Sequence, residues 1–470
     1  MATDCDLVVI GAGPAGIAAA CQAAGLGLSV VLLDEQGEPG GQIYRAIERL
    51  RLQQPDRFTR LGVDYVKGSS LVEALRAARV DYRPNAVVWN VDRGLIVNYS
   101  VDGSSQSVAA RHVLVATGAI ERAMPIPGWT LPGVMTAGAL QILLKAQGLV
   151  PSGRVVLAGA GPLLLLLATQ LLTFGVRPAA IVETVPRGRL LAALPHLVSA
   201  LRVPGTLRKG RAMLRAIKAA GIPFHKAATA LSVEGDGKVE ALAFQSGGRA
   251  QRVAAQIVAL HLGVVPNQQV TRLLGCQHAW DALQRCFRPQ LDDWFFSTVE
   301  GVSVAGDGGG IGGARAAAIG GRLAVLGIAT RQGHIDTAER DRRAAAERKA
   351  LARELAVRPL LDVLYAPPDE LLRPADDVLI CRCEEVTAGR LREAIRLGCP
   401  GPNQAKSFLR CGMGPCQGRI CGLPVTEIIA EARGLGPGEI DYYRIRPPLK
   451  PLTLGELATL DSASEGDQAA

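Results

Sequence analysis

The sequence predicts an α/β protein, with two Rossmann-like dinucleotide-binding domains and a small helical C-terminal domain built around cysteine. Three observations carry this expectation. Two Gly-rich loops, Gly11-Ala-Gly13-Pro14-Ala15-Gly16 and Gly159-Ala-Gly161-Pro-Leu-Leu164, each follow a short apolar run and open an Ala- or Leu-rich stretch. The last quarter holds Cys381-Arg-Cys383 and, thirty-two residues on, Cys416-Gln-Gly-Arg-Ile-Cys421. The composition of 48% hydrophobic, 20% charged and 4% aromatic residues, with 54 Gly, suits helices packed on parallel sheets. At 470 residues the chain exceeds one core and divides into two to four.

The first loop sits in a β–turn–α–β pattern: Leu7–Ile10 as strand, the turn from Gly11, a helix to about Ala24, then Ser29–Leu33. In such a loop the first Gly permits the tight turn and the second lets backbone amides reach a pyrophosphate. The third lets helix and strand pack closely. Pro14 and Ala15 stand at the helix start beside the phosphate position. Asp34 ends the second strand twenty-three residues after Gly11, where a carboxylate meets an adenosine ribose, and Glu35 is a neighbouring candidate. Three further turns follow in order: Gly40-Gly41-Gln42, Ala116-Thr117-Gly118 and Ala305-Gly306-Asp307. Each alone is an ordinary strand-end turn; Val113–Thr117 and Val302–Ala305 before the last two read as short buried strands.

The second unit runs from Arg154–Leu157 through Leu163–Phe174 to Ala180–Val182. Leu164 replaces the third Gly, which is expected to push helix and strand apart and crowd the pyrophosphate. Glu183, twenty-four residues after Gly159, suits a ribose hydroxyl and disfavours a 2′-phosphate. The loop at Gly159 and Gly161 is therefore read in two ways. It binds an adenine nucleotide (ATP or NAD, not NADP), or it is a retained Rossmann fold that takes no nicotinamide.

Residues 338–356 carry charges at i, i+4 spacing and predict a solvated connector helix. Pro367, Pro368 and Pro374 separate it from the cysteines, and the small, acidic stretch after Leu460 reads as a disordered tail. Six of ten Cys fall between Cys381 and Cys421. Thiols in that spacing suit Cys₄ ligation of an iron–sulfur cluster through Cys381, Cys383, Cys416 and Cys421. Zinc competes for any Cys₄ set, although zinc ribbons favour paired CxxC knuckles. Cys399 and Cys411 read as small buried residues, and Cys5, Cys21, Cys276 and Cys286 as isolated structural ones.

Other classes find little support. The net charge of +9 is spread along the chain without an aromatic–basic platform, so nucleic acid is not an expected partner. The most apolar stretch, Leu163–Leu172, is too short to span a bilayer. A strand begins at once at the N-terminus, and thiol usage suits a reducing compartment. A cytoplasmic setting is the expectation, with peripheral contact at the inner face of a membrane compatible with it. The six His show no nucleophile spacing, and no catalytic residue is assigned.

The order of the four motifs in residues 1–335 resembles the two-dinucleotide-binding-domain flavoproteins, which include glutathione and thioredoxin reductases. That resemblance implies FAD held by Gly11, Gly13, Pro14, Ala15, Gly16, Asp34 or Glu35, Gly41, Gln42, Thr117, Gly118, Gly306 and Asp307. It implies a discontinuous FAD domain (1–120 and 290–335) interrupted by the second dinucleotide domain (121–289). The disulfide reductases of the group carry a redox cysteine pair; neither the segment after Gly41 nor that after Pro132 contains Cys. Residues 376–450, after a connector over 336–375, resemble the bacterioferritin-associated ferredoxin domain, a small helical 2Fe–2S module in which the residue matching Cys411 is commonly not a ligand. Residues 451–470 complete the chain as the tail.

Taken whole, Gly40-Gly-Gln-Ile-Tyr-Arg45, Gly159-Ala-Gly-Pro-Leu-Leu-Leu-Leu-Leu167 and Gly412-Met-Gly-Pro-Cys-Gln-Gly-Arg-Ile-Cys421 resemble the α (A) subunits of heteromeric FAD-dependent amino-acid dehydrogenases. That group includes opine oxidase, hydrogen cyanide synthase and proline or hydroxyproline dehydrogenase. The resemblance implies an electron-transfer subunit serving a second flavoprotein (β) subunit that holds the substrate site, sometimes with a small third subunit. The alternatives are a self-sufficient NADH-dependent FAD/iron–sulfur reductase and an inactive scaffold.

Overall fold

The computed structural model describes residues 3–466, with side chains described to residue 460. β1 (Leu7–Ile10), α1 (Pro14–Gly25) and β2 (Val30–Leu33) form the first βαβ unit. Every residue of both strands is buried, as expected of a parallel sheet covered on two faces. β3 (Val113–Val115) lies on the other side of β1, with Val8 opposite Val113. β4 (Ala119–Glu121) then carries the chain into the second domain.

That domain repeats the plan with β5 (Val155–Ala160), α2 (Pro162–Thr173) and β6 (Ala180–Glu183). After β6 come α3 (Arg189–Ala193), α4 (Leu197–Ala200) and the longer α5 (Pro204–Ala219). β7 (Ile257–Leu262) pairs in parallel with β5, so the five-stranded sheet runs 224–225, 180–183, 155–160, 257–262, 134–136. Leu164 is buried with Leu167, Leu171 and Leu157 in the core between helix and sheet.

β8 (Val264–Pro266) pairs antiparallel with β4, Val265 opposite Ile120, and this two-stranded strap joins the domains. Val265, Val270 in α6 (Gln269–Leu273), Leu274, Cys286 and Phe287 belong to the same core as Val8 and Val113. The core around the first sheet thus already includes side chains between Val265 and Phe287. β9 (Val302–Val304) completes the first sheet, ordered 302–304, 113–115, 7–10, 30–33, 81–83. α7 (Ala314–Arg331) packs on α1 at backbone distance: a Cβ on Gly321 would lie 2.2 Å from the Ala15 carbonyl oxygen.

α8 (Thr337–Leu355) is the expected connector helix, started by the Asp336 carboxylate accepting the Glu339 amide at 2.7 Å. It is not merely solvated, because Ala344 is buried against α7 and Glu347 pairs with Arg322. α9 (Arg358–Leu364) follows and lies on α3 and α4 of the second domain. The C-terminal domain wraps helices 388–396, 402–409 and 422–433 around the cysteines, and its core is continuous with that of the first sheet. It is thus docked rather than pendant.

A last helix, α10 (Leu454–Gly466), occupies much of the expected disordered tail. Its start is capped by Thr453 and Glu456, and the Thr459 hydroxyl accepts the Ser105 amide at 2.7 Å. These contacts precede the stretch after Leu460, whose side chains lie outside the described residues. Residues 467–470 lie outside the described chain.

Candidate functional site

The first loop is folded as a phosphate cradle. Gly11 has φ +106°, and a Cβ there would stand 2.7 Å from the Ala116 carbonyl oxygen; one on Gly16 would stand 1.9 Å from that of Gly11. No side chain fits at either place, which brings β1, β3 and the start of α1 into direct contact. Pro14 is at the first turn of α1, where its missing N–H costs nothing. Gly41 crosses over this turn so closely that a Cβ would lie 2.9 Å from the Gly13 Cα. Asp307 accepts the amides of Gly312 and Gly313 at 2.8 and 2.9 Å and shapes the second half of the cradle. Gly306 faces Ala15, where an added Cβ would be 2.8 Å away.

The two acidic candidates separate. Asp34 is buried and its carboxylate accepts the amides of Ala12 and Gln36 at 3.2 and 3.1 Å, although burial lifts its pKa to about 6. It braces the loop. Glu35 reaches outward and pairs with Lys450 at 2.6 Å. The Thr117 hydroxyl is buried without a partner beside Gly118, as expected of a group that meets a ligand. With that orphaned hydroxyl, a glycine-lined opening and the N-terminus of a twelve-residue helix, the residues fit a dinucleotide.

Lys145 is a participant that the sequence reading missed. Its ammonium donates to the backbone carbonyls of Gln42 and Ile43 at 3.3 and 3.0 Å and to Gln141 at 2.9 Å. It belongs to the second domain yet grips the loop after Gly41. Burial lowers its pKa to about 7. Only the fold brings residues 42 and 145 together, so no local pattern marks it.

In the second loop Gly159 and Gly161 keep their positive φ of +127° and +133°. A Cβ on Gly159 would meet the His261 carbonyl oxygen at 1.8 Å, and one on Gly161 would meet the His261 ring at 2.9 Å. His261 is held by Glu121, with Nδ1 2.5 Å from Oε1, while Glu121 Oε2 accepts the Gly138 amide at 2.9 Å. The His261 imidazole thus packs directly against the loop at Gly161. Glu183 stands opposite Gly159 in the sheet, and its pKa is raised by burial. The neighbouring Thr184 hydroxyl is buried without a partner.

The cysteines gather in two groups. Cys381, Cys411 and Cys421 are buried with their sulfurs all within 4.8 Å of one another, an arrangement able to hold a metal ion. Cys383 and Cys416 form the second group, their thiols against each other and Cys383 exposed. Cys411, read from sequence as a bystander, thus stands among the sulfurs. Cys411 and Cys421 donate to Cys381, which holds Cys381 far below the thiol range while Cys411 is pushed up to about 12. Tight clustering of thiols, one already favoured as thiolate, is the chemistry a metal cluster uses.

Tyr443 organises this turn. Its ring is packed between Gly412 and Gly418, where a Cβ on either would lie 2.6 Å from the ring. Both glycines have positive φ, so the Gly-rich motif leaves room for an aromatic plug. The Tyr443 hydroxyl donates to Cys411 Sγ at 3.4 Å and lies 3.7 Å from Cys421 Sγ.

A short chain of contacts links the two centres. The Asn267 amide donates to the Gly118 carbonyl at 3.0 Å. Two residues later, Gln269 donates from Nε2 to the Gln417 carbonyl at 3.4 Å, next to Cys416. On the far side, Arg419 donates to the Leu449 carbonyl at 2.9 Å, and the Leu449 amide donates to Trp89 at 2.7 Å.

Comparison with known proteins agrees with both halves of this picture. Residues 5–321 match the model of the pyridine nucleotide-disulphide oxidoreductase family, and residues 379–431 match the BFD-like [2Fe-2S] binding domain. An opine oxidase subunit of Rhizobium meliloti is 43% identical over 97% of this chain and 87% of its own length. Hydrogen cyanide synthase subunit HcnB of Pseudomonas aeruginosa (strain PAO1) is 33% identical over 96% and 98%. Among solved structures, L-proline dehydrogenase from P. horikoshii superposes with a TM-score of 0.68 at 20% identity, covering 96% of this chain and 79% of that one. The fold is thus shared across its length.

Proposed function

The chain belongs to the pyridine nucleotide-disulphide oxidoreductase family and carries a BFD-like 2Fe–2S domain, and from that premise we propose that it is the FAD- and 2Fe–2S-bearing electron-transfer subunit of a heteromeric amino-acid dehydrogenase. Its relatives are named as subunits of opine oxidase and hydrogen cyanide synthase, and this supports an amino-acid-type donor and a partner flavoprotein. Gly11, Gly13, Pro14, Ala15, Gly16, Gly41, Gln42, Thr117, Gly118, Gly306 and Asp307 would hold FAD, with Asp34 bracing the loop. Cys381, Cys383, Cys416 and Cys421 would hold the cluster. FAD supplies two-electron chemistry and the cluster one-electron transfer.

The observation that carries the relay reading is the contact chain from Thr117–Gly118 through Asn267 and Gln269 to Gln417. It supports one continuous path between the flavin cradle and the cysteine turn. The second loop, narrowed by His261, supports a bound adenine nucleotide better than rapid hydride donation from NADH. Substrate oxidation is expected only when a second flavoprotein subunit is coexpressed. Dye-linked turnover of proline, hydroxyproline, glycine or opines by the chain alone would overturn this reading.

A further inference from the structure

Between Glu183 and Glu234 the chain contains no Asp or Glu, but carries six Arg and three Lys. Within this run α3, the turn over 194–196 and α4 present Leu190, Leu191, Leu194, Leu197, Val198 and Leu201 at i, i+1, i+4, i+7, i+8 and i+11, the spacing of one helical face. That face is turned to solvent: Leu191 and Val198 are 70% and 74% exposed. The opposite side is satisfied, because Ala193 and Ala200 are buried against Val357 and Leu360 around α9. The amphipathic pattern is therefore inverted, with the large apolar side chains outside and the small ones inside. A contiguous apolar patch of this kind marks an interaction surface.

α5 adds the charge. Arg208, Arg211, Arg215 and Lys218 are exposed and fall at three- and four-residue spacing along one side of the helix, while Ile217 is buried on the other. Arg187 and Arg202 are exposed at the two ends of the leucine face. Of the nearby cations Lys209 is paired, with Asp64 at 2.5 Å. No helix among the described residues is long and apolar enough to cross a membrane.

We infer that residues 187–218 form a docking surface for an anionic phospholipid bilayer. A protein partner would need an acidic rim matched to these helices around an apolar centre. A bilayer offers both in one plane, with phosphates above hydrocarbon, to a short leucine face bordered by arginines. The leucines enter the headgroup boundary and the α5 stripe lies on the phosphates. This surface lies on the second domain. The inference stands apart from the relay reading, since it concerns attachment and not chemistry.

The test is flotation of the full chain, with any subunit that copurifies, on vesicles of phosphatidylcholine with and without phosphatidylglycerol. Binding is expected only with the anionic lipid and is expected to weaken at high salt. Each of Arg208→Gln, Arg211→Gln and Arg215→Gln should lower affinity about fivefold. Leu191→Ser with Val198→Ser should abolish flotation. These positions are exposed, so melting temperature and flavin content serve as controls that should not change. Absence of flotation, equal binding to neutral vesicles, or insensitivity to both sets of substitutions would overturn the inference. So would loss of the copurifying subunit in the leucine variant, which would make the patch a protein interface.

Discussion

Lys450 and Glu35 are 415 residues apart in sequence and 2.6 Å apart in space, an ion pair that ties the C-terminal segment to the end of β2. Both side chains remain 37–42% exposed, so the pair is worth at most about 1 kcal/mol. Lys450→Met should therefore keep full FAD and iron stoichiometry and shift the urea midpoint only slightly. Loss of flavin from this variant would show that Glu35 depends on the lysine to meet the cofactor.

The cysteine centre should contain two irons per FAD. Cys416→Ser and Cys421→Ser should each bleach the visible cluster spectrum and leave the flavin bands, because the Cys383–Cys416 pair and the Cys381–Cys411–Cys421 trio lie outside the flavin cradle. Zinc without iron in elemental analysis would refute this.

Tyr443→Phe keeps the ring between Gly412 and Gly418 but removes the O–H beside Cys411 and Cys421. Iron content should hold, while the cluster's reduction potential should fall, since hydrogen bonds to the sulfurs stabilise the reduced, more negative state. Potentiometric titration followed by electron paramagnetic resonance reads this directly. An unchanged potential would reduce Tyr443 to a packing residue.

NADH and NADPH should reduce the flavin more slowly than the coexpressed complex turns over, because the His261 ring stands at Gly161 and Glu183 repels a 2′-phosphate. Stopped-flow bleaching of the flavin faster than complex turnover would favour a self-sufficient reductase.

Stability should fall on mild acidification. Burial lowers the pKa of His112 to about 3 and that of His278 to about 4, against 6.5 in the unfolded chain. Both are bases with depressed folded values, so the unfolded state takes up protons first as pH drops below about 6.5. The loss is about 2 kcal/mol per histidine between about pH 7 and pH 5, and continues until the folded values are reached. His112→Asn should flatten this dependence in urea titrations, while retaining a side-chain partner for Ser303.

The parts legible in sequence are those written in short stretches. The loop from Gly11 to Gly16 and the second βαβ unit depend on neighbours within a few residues, whereas the Cys381–Cys383 and Cys416–Cys421 pairs are regrouped by the fold into Cys381–Cys411–Cys421 and Cys383–Cys416. What escaped was written across the fold. Lys145 meets Gln42, His261 meets Gly161 and Tyr443 meets Gly412 only after the strands and helices are assembled. The start of the last helix escaped as well, because its caps at Thr453 and Glu456 and the contact of Thr459 with Ser105 are not written in composition.

The aromatic plug also bears on how the centre is made. Tyr443 leaves the ribosome twenty-two residues after Cys421, so every thiol has emerged before the ring that closes the turn. Until the segment through Leu449 docks on Trp89, the pocket around Gly412 and Gly418 stands open. The last stretch of chain thus acts as the closing wall of the cysteine turn, with Tyr443 filling the space beside Gly412 and Gly418 and Leu449 pinned to Trp89.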